Sequence, residues 1–379
     1  MDTYNIAYIT QFTIPFYVSL FCCLLLLKMY KQKDSLLGNK PLWLIVLANG
    51  VSALNWLFMV AYLSLPAIYL IFNSIVLFTC MSVHVLYYHF IFELTKVHKK
   101  ERFPIIHYLL PALGFIVMSI WSFQIPYDVQ LLLIKSKGTL VNEYPLYSTF
   151  FVSKMKLFFC FNLLYAFAGL NRIMHYRKVL VNYSADEQRV SFSWLYQFLF
   201  AMLALFPMAI VVFIFPEYKI ISSGMALYPV ILIIVKDIVL VHNILLENYV
   251  VMGVESTKQK SDEEIVSNCG LVKPDDIRRL EAYMRKNKPY LNSKLKITDM
   301  ILDLNTNRTS LSVLINRTYG MNFCRYINRF RLEELERLKA NPQYDKCTEL
   351  ELIEMAGFSD YRGYRRVRQR EEFDYNELV

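Results

Sequence analysis

Lys296–Asn322, KITDMILDLNTNRTSLSVLINRTYGMN, is the stretch from which the rest of the chain is read. Ile297, Met300, Ile301 and Leu304 recur at i, i+3, i+4 and i+7, the apolar face of a short helix. Asn305, Thr306 and Asn307 interrupt that pattern with residue types that favour turns and N-caps. A second helix is expected to follow, with Leu311, Leu314 and Ile315 inward and Gly320 closing it at a left-handed C-terminal position. Arg308, Thr309, Ser312, Val313 and Asn316 occupy its other face, short or polar and available to a partner. Two short helices joined by a tight turn fit a helix-turn-helix, whose second helix enters a DNA major groove. Taken alone, they fit an ordinary packed helical hairpin better, since many helical pairs share this pattern.

Two longer stretches separate these readings. Thr306–Leu335, TNRTSLSVLINRTYGMNFCRYINRFRLEEL, resembles the first half of the DNA-binding domain of the AraC/XylS family of bacterial regulators. Glu351–Arg370, ELIEMAGFSDYRGYRRVRQR, resembles that family's second helix-turn-helix, in which Gly-Phe precedes an arginine-rich helix. A linking helix from about Asn322 to Ala340, closed by Asn341-Pro342, gives the two halves the family's spacing. The resemblance spans roughly Asp275–Leu378. It implies that Arg308, Thr309, Ser312 and Val313, with Asn307 at the start of their helix, face DNA in the first unit. It implies the same for Tyr361, Arg362, Arg365 and Arg366 in the second. Departures from the pattern are specific: Val313 stands where Arg is frequent, Ile301 and Ile353 where Ala is preferred, and Arg368 replaces a core aromatic. The ending REEFDYNELV lacks the Gly-x-x-Pro turn. A tail that has become a protein-binding module is therefore the alternative.

Placement, not total charge, supports the DNA reading. From Asp275 to Val379 there are 20 Lys/Arg and 17 Asp/Glu, a net of +3. Five arginines, Arg362, Arg365, Arg366, Arg368 and Arg370, crowd into nine residues. Helical spacing groups Arg362, Arg365, Arg366 and Gln369 on one face, with Phe358, Tyr364 and Val367 directed to a core.

Before residue 250 the composition is of a different kind. The whole chain is 55% hydrophobic and 19% charged, against about a quarter charged in soluble domains. Seven apolar runs reach the roughly 20 residues that a membrane-crossing helix needs. They lie near Ile6–Leu27, Leu42–Leu65, Ala67–Phe92, Ile105–Phe123, Phe150–Leu170, Trp194–Phe215 and Met225–Leu246. Lys154 and Lys156 make the fifth the least regular. The first run has no basic leader and no A-x-A-like site, so it reads as a span rather than a cleaved signal. Loops after spans one, three and five are basic (Lys28, Lys31, Lys33 and Lys40; Lys96, Lys99, Lys100 and Arg102; Arg172, Arg177, Lys178 and Arg189). The positive-inside rule then puts the N-terminus outside and, after seven spans, the C-terminal region in the cytoplasm.

Charged residues inside spans are costly and mark candidate functional positions. Lys236 and Asp237 in the last span either hold a ligand or couple neighbouring helices; being about 100° apart on a helix, they need not pair. His84, His89 and His107 lack metal-ligand spacing and read as satisfied interior or interfacial groups, while Asn55, Asn73 and Asn162 read as interhelical hydrogen-bonders. The seven cysteines show neither a disulfide framework nor zinc spacing. No P-loop, GxGxxG, GxSxG, HExxH or kinase signature occurs, so no enzymatic role, cofactor or metal is expected.

The expectation is an all-α chain: a seven-span membrane domain over 1–250, a polar linker over 251–274, and a cytoplasmic double helix-turn-helix domain over 275–379. It predicts a regulator in a bacterial inner membrane, with promoter DNA, the lipid bilayer and an unidentified small-molecule or membrane cue as partners. A homodimer is compatible with this. The alternative is a membrane receptor or transporter whose altered tail binds a protein.

Overall fold

The computed structural model describes residues 3–32, 39–97, 101–136, 143–186, 193–215, 219–220, 224–246 and 274–377. The chain divides into two compact units. One comprises Met1–Lys96, Lys100–Ile173 and Trp194–Glu247; the other comprises Val97–Lys99, Met174–Ser193 and Asn248–Val379. Apart from Pro274, the polar linker expected over 251–274 lies outside the described residues.

The first unit is a helical bundle containing seven apolar helices of membrane-crossing length. In chain order its elements are α1 (Thr3–Gln32), α2 (Asn39–Ser64), α3 (Pro66–Ile71), α4 (Asn73–Leu94), α5 (Ile106–Gln124), α6 (Tyr127–Lys135), α7 (Pro145–Leu180), α8 (Ser193–Leu203), α9 (Phe206–Ile214) and α10 (Leu227–Leu245). α1 packs along α2 and meets α10, α2 packs on α4, and α4 on α5. Apolar side chains also point outward, as Phe200 (72% exposed) and Ile231 (58%) do. In water this would be prohibitive, but it suits a hydrocarbon solvent, in which helices satisfy their own backbone.

Four details depart from simple apolar runs. The third expected span breaks at Phe72: Pro66 opens the six-residue α3, and Asn73 starts α4. The sixth breaks at Ala204–Leu205, because Pro207 brings no N–H to the ladder. There the Tyr228 hydroxyl from α10 donates to the Ala204 carbonyl. The loop after span four contains α6, whose Leu133 and Ile134 are fully buried. The fifth span, irregular by charge, is the longest helix: α7 has 36 residues, which at about 1.5 Å each exceeds the roughly 30 Å hydrocarbon core by some 20 Å. Its final turns, from Met174, group with the second unit.

That second unit continues with α11 (Pro274–Asn287), α12 (Arg308–Tyr319), α13 (Phe323–Lys339), α14 (Glu349–Met355) and α15 (Tyr361–Glu377). Pro274 starts α11, as its fixed φ favours. Asn307 caps α12 by accepting from Ser310 N (2.8 Å), and Gly320 closes it at φ +67. Asn322 caps α13. Ile297, Met300 and Leu304 are buried as the periodicity predicts, with Ile301 half-buried. The expected first helix is nonetheless a three-residue 3-10 turn, Ile297–Asp299, followed by turns that end at Asn305 with φ +47. β-branched Ile297, Thr298 and Ile301 supply little helical propensity over so short a stretch. Leu335, Leu338, Leu352, Ile353, Phe358, Tyr364 and Val367 form the core around α13, α14 and α15.

Candidate functional site

The two helices singled out as readers differ in what they expose. On α15, Tyr361, Arg362 and Arg365 are exposed and Arg366 is half-buried, while Tyr364 and Val367 on the opposite side are buried. The turn before it needs Gly357, at φ +94; a Cβ there would sit 2.3 Å from the Tyr290 carbonyl oxygen. Arg368, at the position of an expected core aromatic, is exposed and donates to the Tyr364 hydroxyl (2.7 Å). α15 runs unbroken to Glu377. On α12, Arg308, Thr309, Ser312 and Val313 are half-buried rather than open, and Asn307 is exposed. Arg308 lies over the Tyr183 ring, 5.3 Å from its centroid.

Tyr183 belongs to Val181–Asp186, the stretch directly after α7. This stretch is part of the fold of the second unit. Ser184 and Lys296 form an antiparallel bridge. Ala185 N donates to Leu295 O (3.0 Å), Ile297 N to Tyr183 O (2.9 Å) and Cys324 N to Val181 O (2.9 Å). Ser359, in the turn before α15, donates to Asp186 (3.3 Å). One short strand-like segment thereby touches the entry to both α12 and α15.

Arg331 on α13 gathers the same parts. Only 1% exposed, it donates to the carbonyls of Tyr290, Ala185 and Asn292, each at 2.8 Å, and to Asn328 Oδ1 at 2.9 Å. Burial pulls its pKa down to about 10, which leaves it charged at neutral pH. Nearby Glu334, largely buried, takes bonds from Arg337 (3.0 Å) and Lys288 (3.2 Å), which hold its carboxyl below the usual range. Sequence reasoning missed Arg331. The signal was present: Phe323, Ile327, Arg331 and Leu335 recur every four residues along α13, an arginine on an otherwise apolar stripe.

In the bundle, Lys236 and Asp237 do pair, at 2.9 Å, because the long lysine stem swings its ammonium back to its neighbour. Asp237 also accepts from Ser19 (2.7 Å) and Tyr87 (3.2 Å), and Lys236 stands 3.9 Å over the Tyr87 ring. Asn55, Asn73 and Asn162 each bond across helices, to Thr79, Lys154 and the Met202 carbonyl. His89 meets Tyr108 (2.9 Å) and Glu93 (3.4 Å), and His107 meets Tyr165 (3.2 Å). His84 is the exception to the expectation of satisfied histidines: it is 4% exposed and neither ring nitrogen has a hydrogen-bond partner. It faces a cavity of about 150 Å³ that Lys154 and Lys236 also line. Glu93 draws Lys40 (2.6 Å) and Lys96 (2.7 Å), and Glu101 pairs with Arg172, so several loop cations are tied in ion pairs. Among the described residues no cluster of His, Cys, Asp and Glu could hold a metal ion.

Fold and site together define a multi-pass helical membrane protein joined to a distinct C-terminal helical module. Comparison with known proteins returns no matching family model, no matching curated protein and no matching solved structure.

Proposed function

We propose that the chain is a one-component transcriptional regulator of the bacterial inner membrane, whose C-terminal module binds promoter DNA under control of a cue sensed by the bundle. The AraC/XylS resemblance of Thr306–Leu335 and Glu351–Arg370 motivates this reading. The observation that carries it is the arginine face of α15, with Tyr361, Arg362 and Arg365 exposed over a buried Tyr364 and Val367. Forked guanidinium donors in that position suit guanine edges and phosphates. In this reading the N-terminus is outside and the module cytoplasmic, and the signal passes through α7 into Val181–Asp186.

The experiment uses the full chain in lipid nanodiscs to select genomic fragments, with enrichment followed as salt rises. Selective enrichment that weakens steeply with salt is expected, since each phosphate contact releases a counterion. Exchanging Arg365 and Arg366 together for Ala is expected to weaken binding at least about tenfold. Salt-independent or sequence-blind capture would remove the proposed activity.

A second reading, a module that docks a protein partner, is favoured by one observation: the α12 face is half-buried, with Arg308 against Tyr183. It predicts no selective enrichment in the same assay.

A further inference from the structure

The cavity inside the bundle is elongated. On α4 its wall passes through Val76, Cys80, Val83, His84 and Tyr87, a rise of about 16 Å. Its two ends differ. Toward the start of α4, Lys154 donates to the Tyr69 hydroxyl (2.9 Å) and to Asn73. At the Tyr87 end, Lys236 pairs with Asp237 (2.9 Å), which also accepts from Ser19 (2.7 Å) and Tyr87 (3.2 Å). Ser19 in turn meets Ser52 (3.3 Å). Between the ends the wall is apolar, with Trp56, Met59, Met155, Phe158, Val230 and Ile233.

At the Tyr87 end the charges of Lys236 and Asp237 cancel, and the hydroxyls are engaged with Asp237 or with one another. Asn55 accepts from Thr79 (2.6 Å), and Asn162 donates to the Met202 carbonyl (2.7 Å). His84 is what remains. It lines the cavity and is 4% exposed, and neither ring nitrogen has a hydrogen-bond partner among the described residues. Its ring packs against Phe158, centroids 4.6 Å apart, a contact that engages neither nitrogen. Buried polar atoms without partners cost stability, and a phenylalanine would make the same ring contact without that cost.

We propose that this cavity binds a compact, uncharged phenol or aromatic alcohol of about 6–10 non-hydrogen atoms, its hydroxyl bonded to His84 and its ring against Trp56, Met59 and Phe158. The volume, about 150 Å³, is close to that of an engineered cavity that takes a benzene ring. In its uncharged form the imidazole has one donor and one acceptor nitrogen, and a hydroxyl, being both, satisfies whichever faces the space. A charged group would find no free counter-charge at this end, because Lys236 and Asp237 already hold each other. Aromatic and thioether side chains suit a flat, polarizable ring. This deepens the proposed function by giving the cue a chemistry, and rests on that reading only for its consequence at DNA, not for the binding.

The test is a calorimetric titration of the full chain in nanodiscs, with no DNA present, protein-free nanodiscs serving to subtract partition into lipid. The probes are p-cresol, p-xylene (a methyl in place of the hydroxyl) and p-toluate (a carboxylate in its place). Saturable binding of p-cresol is expected, at least about tenfold tighter than p-xylene, as one buried hydrogen bond is worth. It is also expected to be at least about tenfold tighter than p-toluate, whose charge would be desolvated unpaired. His84→Phe is expected to keep p-xylene binding and erase the preference for p-cresol. If that variant does not fold, the three probes on the unaltered protein decide alone. Equal binding of p-cresol and p-xylene, tighter binding of p-toluate, a preference that survives in His84→Phe, or no saturable binding at about 10 mM would each overturn the proposal, the last in favour of a cavity that holds only water. Failure here leaves the DNA selection untouched, and failure of that selection leaves the titration untouched.

Discussion

Exchanging Arg331 for Met is the sharpest perturbation available in the second unit. Methionine retains much of the apolar stem but no donor, so the carbonyls of Ala185 and Tyr290 and the side-chain carbonyl of Asn328 lose their partner at once, while the exposed Asn292 carbonyl still accepts from Leu295 N (3.1 Å). Each buried carbonyl stranded in this way costs about 1 kcal/mol or more, giving a loss of roughly 3 kcal/mol. Part of that is returned, because a buried cation no longer needs desolvating. A net loss of about 2–3 kcal/mol is still a large share of the 5–15 kcal/mol that holds a typical domain. Hydrogen exchange on the full chain in nanodiscs reads this directly. The amides of Ala185, Ile297 and Cys324, which bond the Val181–Asp186 segment to the module, are expected to exchange about thirtyfold to a hundredfold faster, at 1.4 kcal/mol per factor of ten. Two controls bound the reasoning. Arg331 to Lys keeps one charge but loses the fork, and is expected to fall between. Arg325 to Met removes a half-exposed pair with Glu371, an interaction expected to be worth under about 1 kcal/mol. Exchange in the Met variant within about threefold of the parent would show that the three carbonyls find other partners, and the role assigned to Arg331 would be wrong.

Further outcomes follow from single contacts. Exchanging Gly357 for Ala forces a Cβ onto the Tyr290 carbonyl at φ +94; a loss of at least about 2 kcal/mol is expected, seen as early melting of the α14–α15 core while the bundle is unchanged. Glu334 is held below the usual carboxylate range by Arg337 and Lys288, so its contribution is complete above its unfolded pKa of about 4.3 and disappears as pH falls through the lower folded value. Denaturation profiles are therefore expected to be flat in this respect from neutral pH to about pH 5 and to steepen in acid. Exchanging Glu334 for Gln should remove that steepening, and an unchanged acid limb would count against it.

The membrane-length helices were legible because apolar length is a local property that needs no partner. Their interruptions were less so: Pro66 and Pro207 were visible, but the breaks at Phe72 and Ala204–Leu205 depend on how neighbouring helices accept the freed backbone. Charge misdirected the reading of span five. Lys154 turns inward to Tyr69 and Asn73, and Lys156 lies 5.3 Å over the Phe213 ring, so neither disturbs the helix. In the C-terminal module the caps at Asn307, Asn322 and Gly320 were readable from residue type alone. Val181–Asp186 was not. Its bonds to Leu295, Ile297 and Cys324 are backbone to backbone over more than a hundred residues of chain, and main-chain pairing leaves almost no side-chain pattern.

The same silence hid the functional arrangement. Periodicity identifies which face of a helix is apolar, not what lies against it, so Lys236 and Asp237 stood out in the sequence while His84 looked ordinary. What makes His84 informative is the absence of any partner inside a cavity, which only the assembled bundle reveals. α7 then joins the two halves of the proposed mechanism. Lys154, on its wall of the cavity, and Leu180, where it gives way to the segment bonded into the module, belong to one helix without an internal proline. The 26 residues between them span roughly 39 Å, and a helix transmits tilt along such a length more readily than a loop. Val181–Asp186, tied to Arg331 and resting Tyr183 on Arg308, is where a changed tilt would reach α12.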